Sequence, residues 1–182
     1  MARVAPIAGK QDVPIEYHRV VDQVVDVFGG VRGPFSMLLH SPELAERVLQ
    51  LVTFYRTESV VEPPLRSLAI LATARERDAR YVWSAQVAAA RRAGVSEALI
   101  DLLRAKGDSA GLPAIERDII DYARQLMRTN RVEPALFDRL NEKFGVKWLV
   151  ELTAAANYFA FLSGMVNAFE VAAPADGDKL PI

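Results

Sequence analysis

Residues 65–96, LRSLAILATARERDARYVWSAQVAAARRAGVS, decide the fold that this sequence predicts. Apolar residues recur at helical spacing on both sides of the charged group at residues 75–78, which is typical of a short turn. Gly94 follows the second apolar segment and is a common helix stop. The stretch therefore predicts two antiparallel helices joined by a polar turn.

The rest of the chain has the same helical periodicity, and no segment alternates as a β-strand does. We expect further helices over residues 16–28, 42–56, 97–106, 113–129, 134–144 and 146–171, with a loop at residues 31–41. At the second of these, Ser41 is the expected N-cap and Pro42 the first helical residue. Its inner face should consist of Leu44, Val48, Leu51, Val52 and Tyr55.

Length and composition favour one all-α domain over residues 1–182. Its core should span residues 31–171, with an N-terminal helix at 16–28 and a flexible, polar tail at 174–182. The helix at 146–171 is long and apolar enough to span a membrane. It also contains ionisable residues such as Lys147 and Glu151, which favour a buried core helix.

The charge balance argues against two classes of partner. The 22 basic and 23 acidic residues leave no basic surface for nucleic acid or an anionic membrane. The first residues lack the apolar core of a secretory signal, so we expect a cytoplasmic protein. No nucleotide-binding motif is present, and two distant histidines do not form a metal-ligand pattern, so we expect neither a cofactor nor a metal site.

The hairpin at residues 65–96 resembles the signature hairpin of the carboxymuconolactone decarboxylase / alkyl hydroperoxidase D-like family. In that family the first helix carries a glutamate in an Arg-Glu-Leu context. The second carries a Tyr-Glu-Trp or Cys-x-x-Cys pattern followed by a histidine. Here the corresponding residues are Arg66-Ser67-Leu68 and Tyr81-Val82-Trp83, and Ser67 and Gln86 stand nineteen residues apart, which is the family spacing of the glutamate and the histidine.

The resemblance extends over residues 31–171, through Gly33-Pro34-Phe35, the HSPEL segment at 40–44 and Val150-Glu151-Leu152. It implies an alkyl hydroperoxidase D-like helical bundle that assembles as a homo-trimer or homo-hexamer, with its site near a subunit contact. The chain contains no cysteine, which excludes the thiol chemistry of the hydroperoxidase branch.

Proton transfer then needs a replacement for the missing glutamate and histidine, and we consider three candidates. His40 lies beside a helix start and titrates near neutrality, although it is equally typical of a solvated histidine. Glu62, like Glu58, lies at the mouth of the hairpin, where a solvated loop is the commoner role. Glu151 lies in the most apolar helix and must be paired or perturbed there, with Arg66 as one candidate partner.

Substrate binding is assigned to Arg66 and to four hairpin residues. Ser67 and Gln86 could bind a polar ligand group, or form a buried hydrogen-bonded pair. Tyr81 and Trp83 could line a pocket for a flat ligand, or belong to the core or an interface. If the site is functional, these four residues should line one cavity into which a replacement base opens.

Two function classes follow. The first is a non-redox lyase or isomerase for a small oxygenated organic acid or lactone, of the kind met in aromatic compound catabolism. The second is a non-catalytic protein that binds a small molecule or a partner on the same scaffold. An enzyme needs a titratable group that converges with polar donors, whereas a binding protein does not.

Overall fold

A computed structural model describes residues 2–181. Within that range the chain forms nine α-helices and two 3-10 turns, Lys10–Asp12 and Ile15–Tyr17, and no strand. The helices are α1 (His18–Phe28), α2 (Pro34–Leu38), α3 (Pro42–Thr57), α4 (Pro63–Glu76), α5 (Arg80–Arg92), α6 (Glu97–Arg104), α7 (Ala114–Thr129), α8 (Pro134–Phe144) and α9 (Val146–Ala168). The all-α prediction is confirmed.

The predicted hairpin consists of α4 and α5, and α4 is the central helix of the bundle. It packs against α7, α5 and α9, so every residue from 68 to 75 is buried and no polar stripe remains on that half of the helix. Three alanines in this segment allow the close approach of neighbouring helices. Even Arg75 is buried, and its Nε donates a hydrogen bond to the Arg104 carbonyl oxygen at 2.9 Å.

The longest helix, α9, is a core helix. Its length and hydropathy would suffice to cross a membrane, but it packs against α2, α4, α5, α7 and α8, and 56% of its most apolar window is buried. One stripe stays exposed, with Val146 67%, Val150 60% and Phe161 40% accessible. Most of the α9 surface therefore packs against the other helices, and one apolar stripe remains exposed.

The structure corrects two predictions near the N-terminal half. Leu44 and Leu51 were expected inside but are 43% and 46% exposed, because α3 turns Ala45, Leu49 and Val52 towards α1 and α2 instead. The predicted loop at 31–41 contains α2, whose residues 35–38 are buried between α3 and α9. A five-residue helix is too short to show periodicity, and tertiary packing stabilises it.

The tail that the sequence predicts to be flexible lies packed against the bundle as far as residue 181. Leu180 is 5% exposed, and Asp178 accepts hydrogen bonds from Arg91 on α5 at 2.6 and 3.0 Å. Gly177 lies so close to Ser84 that a Cβ at this position would stand 1.8 Å from the serine Oγ. The tail therefore covers part of α5, and residue 182 of the predicted segment is outside the described residues.

Candidate functional site

A buried carboxylate lies where α9 passes the start of α4. Glu151 is 8% exposed, and its Oε2 accepts a hydrogen bond from the Val60 amide at 2.8 Å. This bond ties the loop that precedes α4 to α9. The second oxygen, Oε1, has no hydrogen-bond partner among residues 2–181 and keeps access to solvent. Glu151 therefore has one oxygen fixed and one available.

Two more polar side chains lie within electrostatic range of this carboxylate. Arg66 on α4 is half-buried, and its guanidinium donates to the Val61 carbonyl oxygen at 2.6 Å. Burial lowers the pKa of Arg66, and the negative charge of Glu151 opposes that effect. Burial also raises the pKa of Tyr55 on α3, and the charge of Glu151 adds to the rise. We call Tyr55, Arg66 and Glu151 the Glu151 cluster.

Glu62 lies at the N-cap position of α4, near the same end of the helix. Its Oε2 accepts a hydrogen bond from the indole Nε1 of Trp148 at 2.7 Å. The indole stacks on Phe144, with ring centroids 4.1 Å apart. Glu62 therefore links the start of α4 to the junction of α8 and α9, a role that its position in the sequence did not indicate.

Ser67 and Gln86 occupy α4 and α5, and both are half-buried. Neither side chain makes a hydrogen bond with any residue from 2 to 181, so they do not form the buried pair that was one of the alternatives. Ser67 directly follows Arg66 in the chain. These two positions thus supply free hydroxyl and amide groups on the hairpin.

The two aromatic candidates differ in environment. Trp83 is fully buried, with its indole Nε1 unpaired and the Arg104 guanidinium 5.7 Å from its ring centroid, as in a core residue. Tyr81 is 9% exposed and packs against Gly33, where a Cβ would stand 2.2 Å from the ring. Burial raises the pKa of the Tyr81 hydroxyl.

His40 contacts the N-terminal segment of the chain. It is exposed, and its Nε2 is 3.0 Å from the Ala5 carbonyl oxygen on the N-terminal segment. None of the hydrogen bonds within residues 2–181 links it to Ser67, Gln86 or the Glu151 cluster.

Two cavities accompany these groups. The larger, about 730 Å³, lies between the start of α5, the end of α9 and the C-terminal tail, and Tyr81 lines it. The smaller, about 450 Å³, lies between α1 and α3, and Glu58 lines it. Of the four hairpin candidates expected around one cavity, only Tyr81 lines either of these two.

Three solved structures are similar to this fold. An uncharacterized peroxidase-related protein from Ralstonia eutropha with an alkylhydroperoxidase AhpD core has a TM-score of 0.75 at 18% identity, over 95% of each chain. A protein of unknown function from Agrobacterium tumefaciens has 0.67 at 16% identity, over 80% of this chain and 100% of its own. The debrominase Bmp8, as a cysteine-to-alanine variant with 2,3,4-tribromopyrrole, has 0.73 at 16% identity, over 96% of this chain and 95% of its own.

The sequence comparisons find one family model that matches part of the chain. No curated protein matches the chain. Residues 42–125 match the family model described as "Carboxymuconolactone decarboxylase family", and this range contains α3, the α4–α5 hairpin, α6 and most of α7. The matched segment thus includes the hairpin with Ser67 and Gln86 at the positions of the expected glutamate and histidine. Residues 42–125 of this cysteine-free chain are therefore similar to the carboxymuconolactone decarboxylase family, within a fold similar to that of an alkylhydroperoxidase AhpD core structure.

Proposed function

We propose that the protein is a non-redox lyase or isomerase for a small oxygenated organic acid or lactone. The observation that carries the proposal is the Glu151 cluster, in which a buried carboxylate with one available oxygen lies within electrostatic range of a half-buried guanidinium. Such a pair provides a base beside a cation, which is what proton transfer next to a carbonyl group requires. The cytoplasm is the proposed location.

Glu151 is assigned the proton transfer. Its Oε2 is fixed by the Val60 amide, which orients the carboxylate and leaves Oε1 to approach a substrate carbon. In an isomerisation of a β,γ-unsaturated substrate, Oε1 takes a proton from the carbon beside the carbonyl and returns it to the γ carbon. The electron pair of the broken C–H bond passes through the dienolate and becomes the α,β double bond, and the pair of the former β,γ double bond forms the new C–H bond. In a decarboxylation, the carbanion left by loss of CO2 takes the proton from protonated Glu151.

Arg66 is assigned the binding of the substrate oxygen. One of its five N–H groups is occupied by Val61, and the others can bind a carboxylate or a developing enolate oxygen. Ser67 and Gln86, which have no side-chain partners among residues 2–181, are assigned to the remaining polar groups of the substrate. The tribromopyrrole bound to the similarly folded debrominase supports a small ring as the ligand size.

A second candidate function is non-catalytic binding of the same ligand class. It is favoured by the replacement of both family groups by Ser67 and Gln86, neither of which titrates near neutral pH. Under this function, Arg66 still binds the ligand carboxylate, and Glu151 only holds the loop at Val60.

The deciding experiment incubates the protein in D2O with a panel of unsaturated lactone acids and β-keto acids. Proton NMR then follows deuterium exchange into the substrate, its isomerisation and its loss of CO2 in one experiment. We expect Glu151→Gln to lose turnover at least a hundredfold with little change in thermal midpoint, because its amide oxygen can still accept the Val60 hydrogen bond. Glu142→Gln, on the exposed surface of α8, is the matched control.

The outcomes separate the candidates. Turnover retained in Glu151→Gln refutes Glu151 as the base, and loss in His40→Ala instead assigns proton transfer to His40. Binding without turnover in the wild type, weakened in Arg66→Gln, favours the non-catalytic function.

We further propose a homo-trimer or homo-hexamer in which a neighbouring subunit covers the exposed stripe of α9. Its support is the apolar character of Val146, Val150 and Phe161, which are 67%, 60% and 40% exposed. Light scattering should give a mass of three or six chains. A stable monomer at micromolar concentration would contradict the proposal.

A further inference from the structure

The charged side chains that line the larger cavity favour an anionic ligand. It is about 730 Å³ in volume, within the range of small-molecule sites. Ser67, Gln86 and the Glu151 cluster do not line it, so it is separate from the proposed reaction site. Five ionisable side chains besides Tyr81 line it: Asp78, Arg80, Glu170, Asp178 and Lys179.

The three carboxylates of the cavity are all engaged by cations outside its lining. Asp78 pairs with Arg75 and, at 3.2 Å, with Lys106. Glu170 accepts from Arg3 at 2.7 and 3.0 Å. Asp178 pairs with Arg91 at 2.6 Å and with Arg104 at 3.4 Å. Cations that lie outside the cavity lining therefore neutralise most of the negative charge of the three carboxylates.

The two cations of the cavity have no such partner. Arg80 at the start of α5 makes no ion pair or side-chain hydrogen bond within residues 2–181, and it is exposed. Lys179 on the tail donates only to the carbonyl oxygen of Ala175. Tyr81 is 9% exposed, and its hydroxyl has no hydrogen-bond partner among the described residues. Two cations and one phenol are thus left for a ligand.

The remaining wall is apolar except for Asn167, whose side-chain amide donates to the Arg77 carbonyl oxygen at 2.9 Å. Val166 lies on α9, Val171, Ala172 and Ala173 lie between α9 and the tail, and Leu180 belongs to the tail. An anion bound to Arg80 and Lys179 would place its non-polar part against this wall and the Tyr81 ring. Ligands with one carboxylate and a small apolar body fit both features.

We propose that this cavity is a second binding site, which takes a small amphipathic carboxylate between α5, α9 and the C-terminal tail. Arg80 and Lys179 bind the carboxylate, and Tyr81 and Leu180 contact the apolar part. The site is independent of the function proposed at Glu151, because the two share no residue.

Benzoate is the probe, with benzyl alcohol as the uncharged ligand of the same shape. Both are titrated into the full chain at low salt, and affinity is followed by amide chemical shifts. We expect benzoate to bind at least tenfold more tightly than benzyl alcohol, with shifts concentrated at residues 78–81 and 166–180. Arg80→Gln and Lys179→Gln should each weaken benzoate binding about threefold or more, and the double variant at least tenfold.

Arg92→Gln is the matched control, because Arg92 is exposed on the same helix but does not line the cavity. It should leave benzoate affinity unchanged. The proposal is overturned if the wild type does not bind benzoate at millimolar concentration, if the double variant binds as well as the wild type, or if benzyl alcohol binds equally well. Shifts confined to residues near Glu151 would also overturn it, while supporting the function proposed there. Circular dichroism verifies that each variant is folded. If the double variant is not folded, the two single variants provide the test of benzoate binding.

Discussion

The contact between Gly177 and Ser84 offers a measurable test of how the tail is held. In Gly177→Ala the new Cβ would stand 1.8 Å from Ser84 Oγ, so the hydroxyl would have to leave its position. Ser84 is 7% exposed on a helix of the core and has little room to move. The substitution should therefore displace the tail from α5.

The cost of this displacement cannot exceed the free energy that holds the tail in place. Leu180, at 5% exposure, contributes about 1.5–3 kcal/mol through burial of its side chain. The ion pairs of Asp178 with Arg91 and Arg104 are partly exposed and add at most about 1 kcal/mol. Gly177→Ala should thus lower the free energy of unfolding by about 2 kcal/mol, with a ceiling of about 4. At this chain length that is a fall of about 4–8 °C in Tm.

The assay is a double-mutant cycle in urea and in thermal unfolding. Ser84→Ala removes an Oγ that is buried without a hydrogen-bond partner, so it should leave stability unchanged or slightly higher. The double variant should recover most of the loss caused by Gly177→Ala, because the clashing atom is gone. Trypsin cleavage after Lys179 should accelerate only in Gly177→Ala. Wild-type stability in Gly177→Ala, or failure of Ser84→Ala to rescue it, would refute the packing described here.

Three further predictions concern other parts of the molecule. Gly33→Ala should destabilise the fold by about 2–5 kcal/mol in urea unfolding, because Gly33 has φ 58 and its Cβ would stand 2.2 Å from the Tyr81 ring; Gly164→Ala, with open space around it, should not. Arg139 lowers the pKa of Asp118 through hydrogen bonds at 3.0 and 3.1 Å. This pair therefore stabilises the fold fully above the usual pKa of aspartate, and its contribution is lost as the pH falls through the lowered pKa of Asp118. Asp118→Asn should therefore cost about 1 kcal/mol at pH 7, and the difference from the wild type should shrink in urea titrations below about pH 4. Finally, a chain without cysteine should show no dithiol-dependent reduction of organic hydroperoxides and no inactivation by alkylating agents; turnover above background would contradict this.

Much of the fold was accessible from local sequence signals. Pro42 and Pro134 begin α3 and α8, and Ser96 caps α6 through a hydrogen bond from the Leu99 amide at 3.4 Å. Ser41 stands at the predicted N-cap of α3, although its side chain makes no capping hydrogen bond. These boundaries depend on residues within one turn of each other, which is why a sequence can reveal them.

The candidate site was less accessible, because its contacts join residues far apart in the chain. The sequence indicated that Glu151 must be paired or perturbed, with Arg66 as one candidate partner, but the hydrogen-bond partner is the Val60 amide. Glu151 influences the pKa of Arg66 through its charge alone. That Glu62 binds the Trp148 indole had no local signal.

The sequence by itself determined the all-α class, the helix hairpin and the exclusion of thiol chemistry, since these follow from composition and periodicity. That Ser67 and Gln86 stand in place of a glutamate and a histidine is implied by the family resemblance of that hairpin. Tertiary structure alone decided which face of α3 is buried, that residues 34–38 form a helix, and that the tail lines a cavity at the start of α5. Each of these depends on surface buried between distant segments. Burial of that kind is a property of the packed chain rather than of any local stretch.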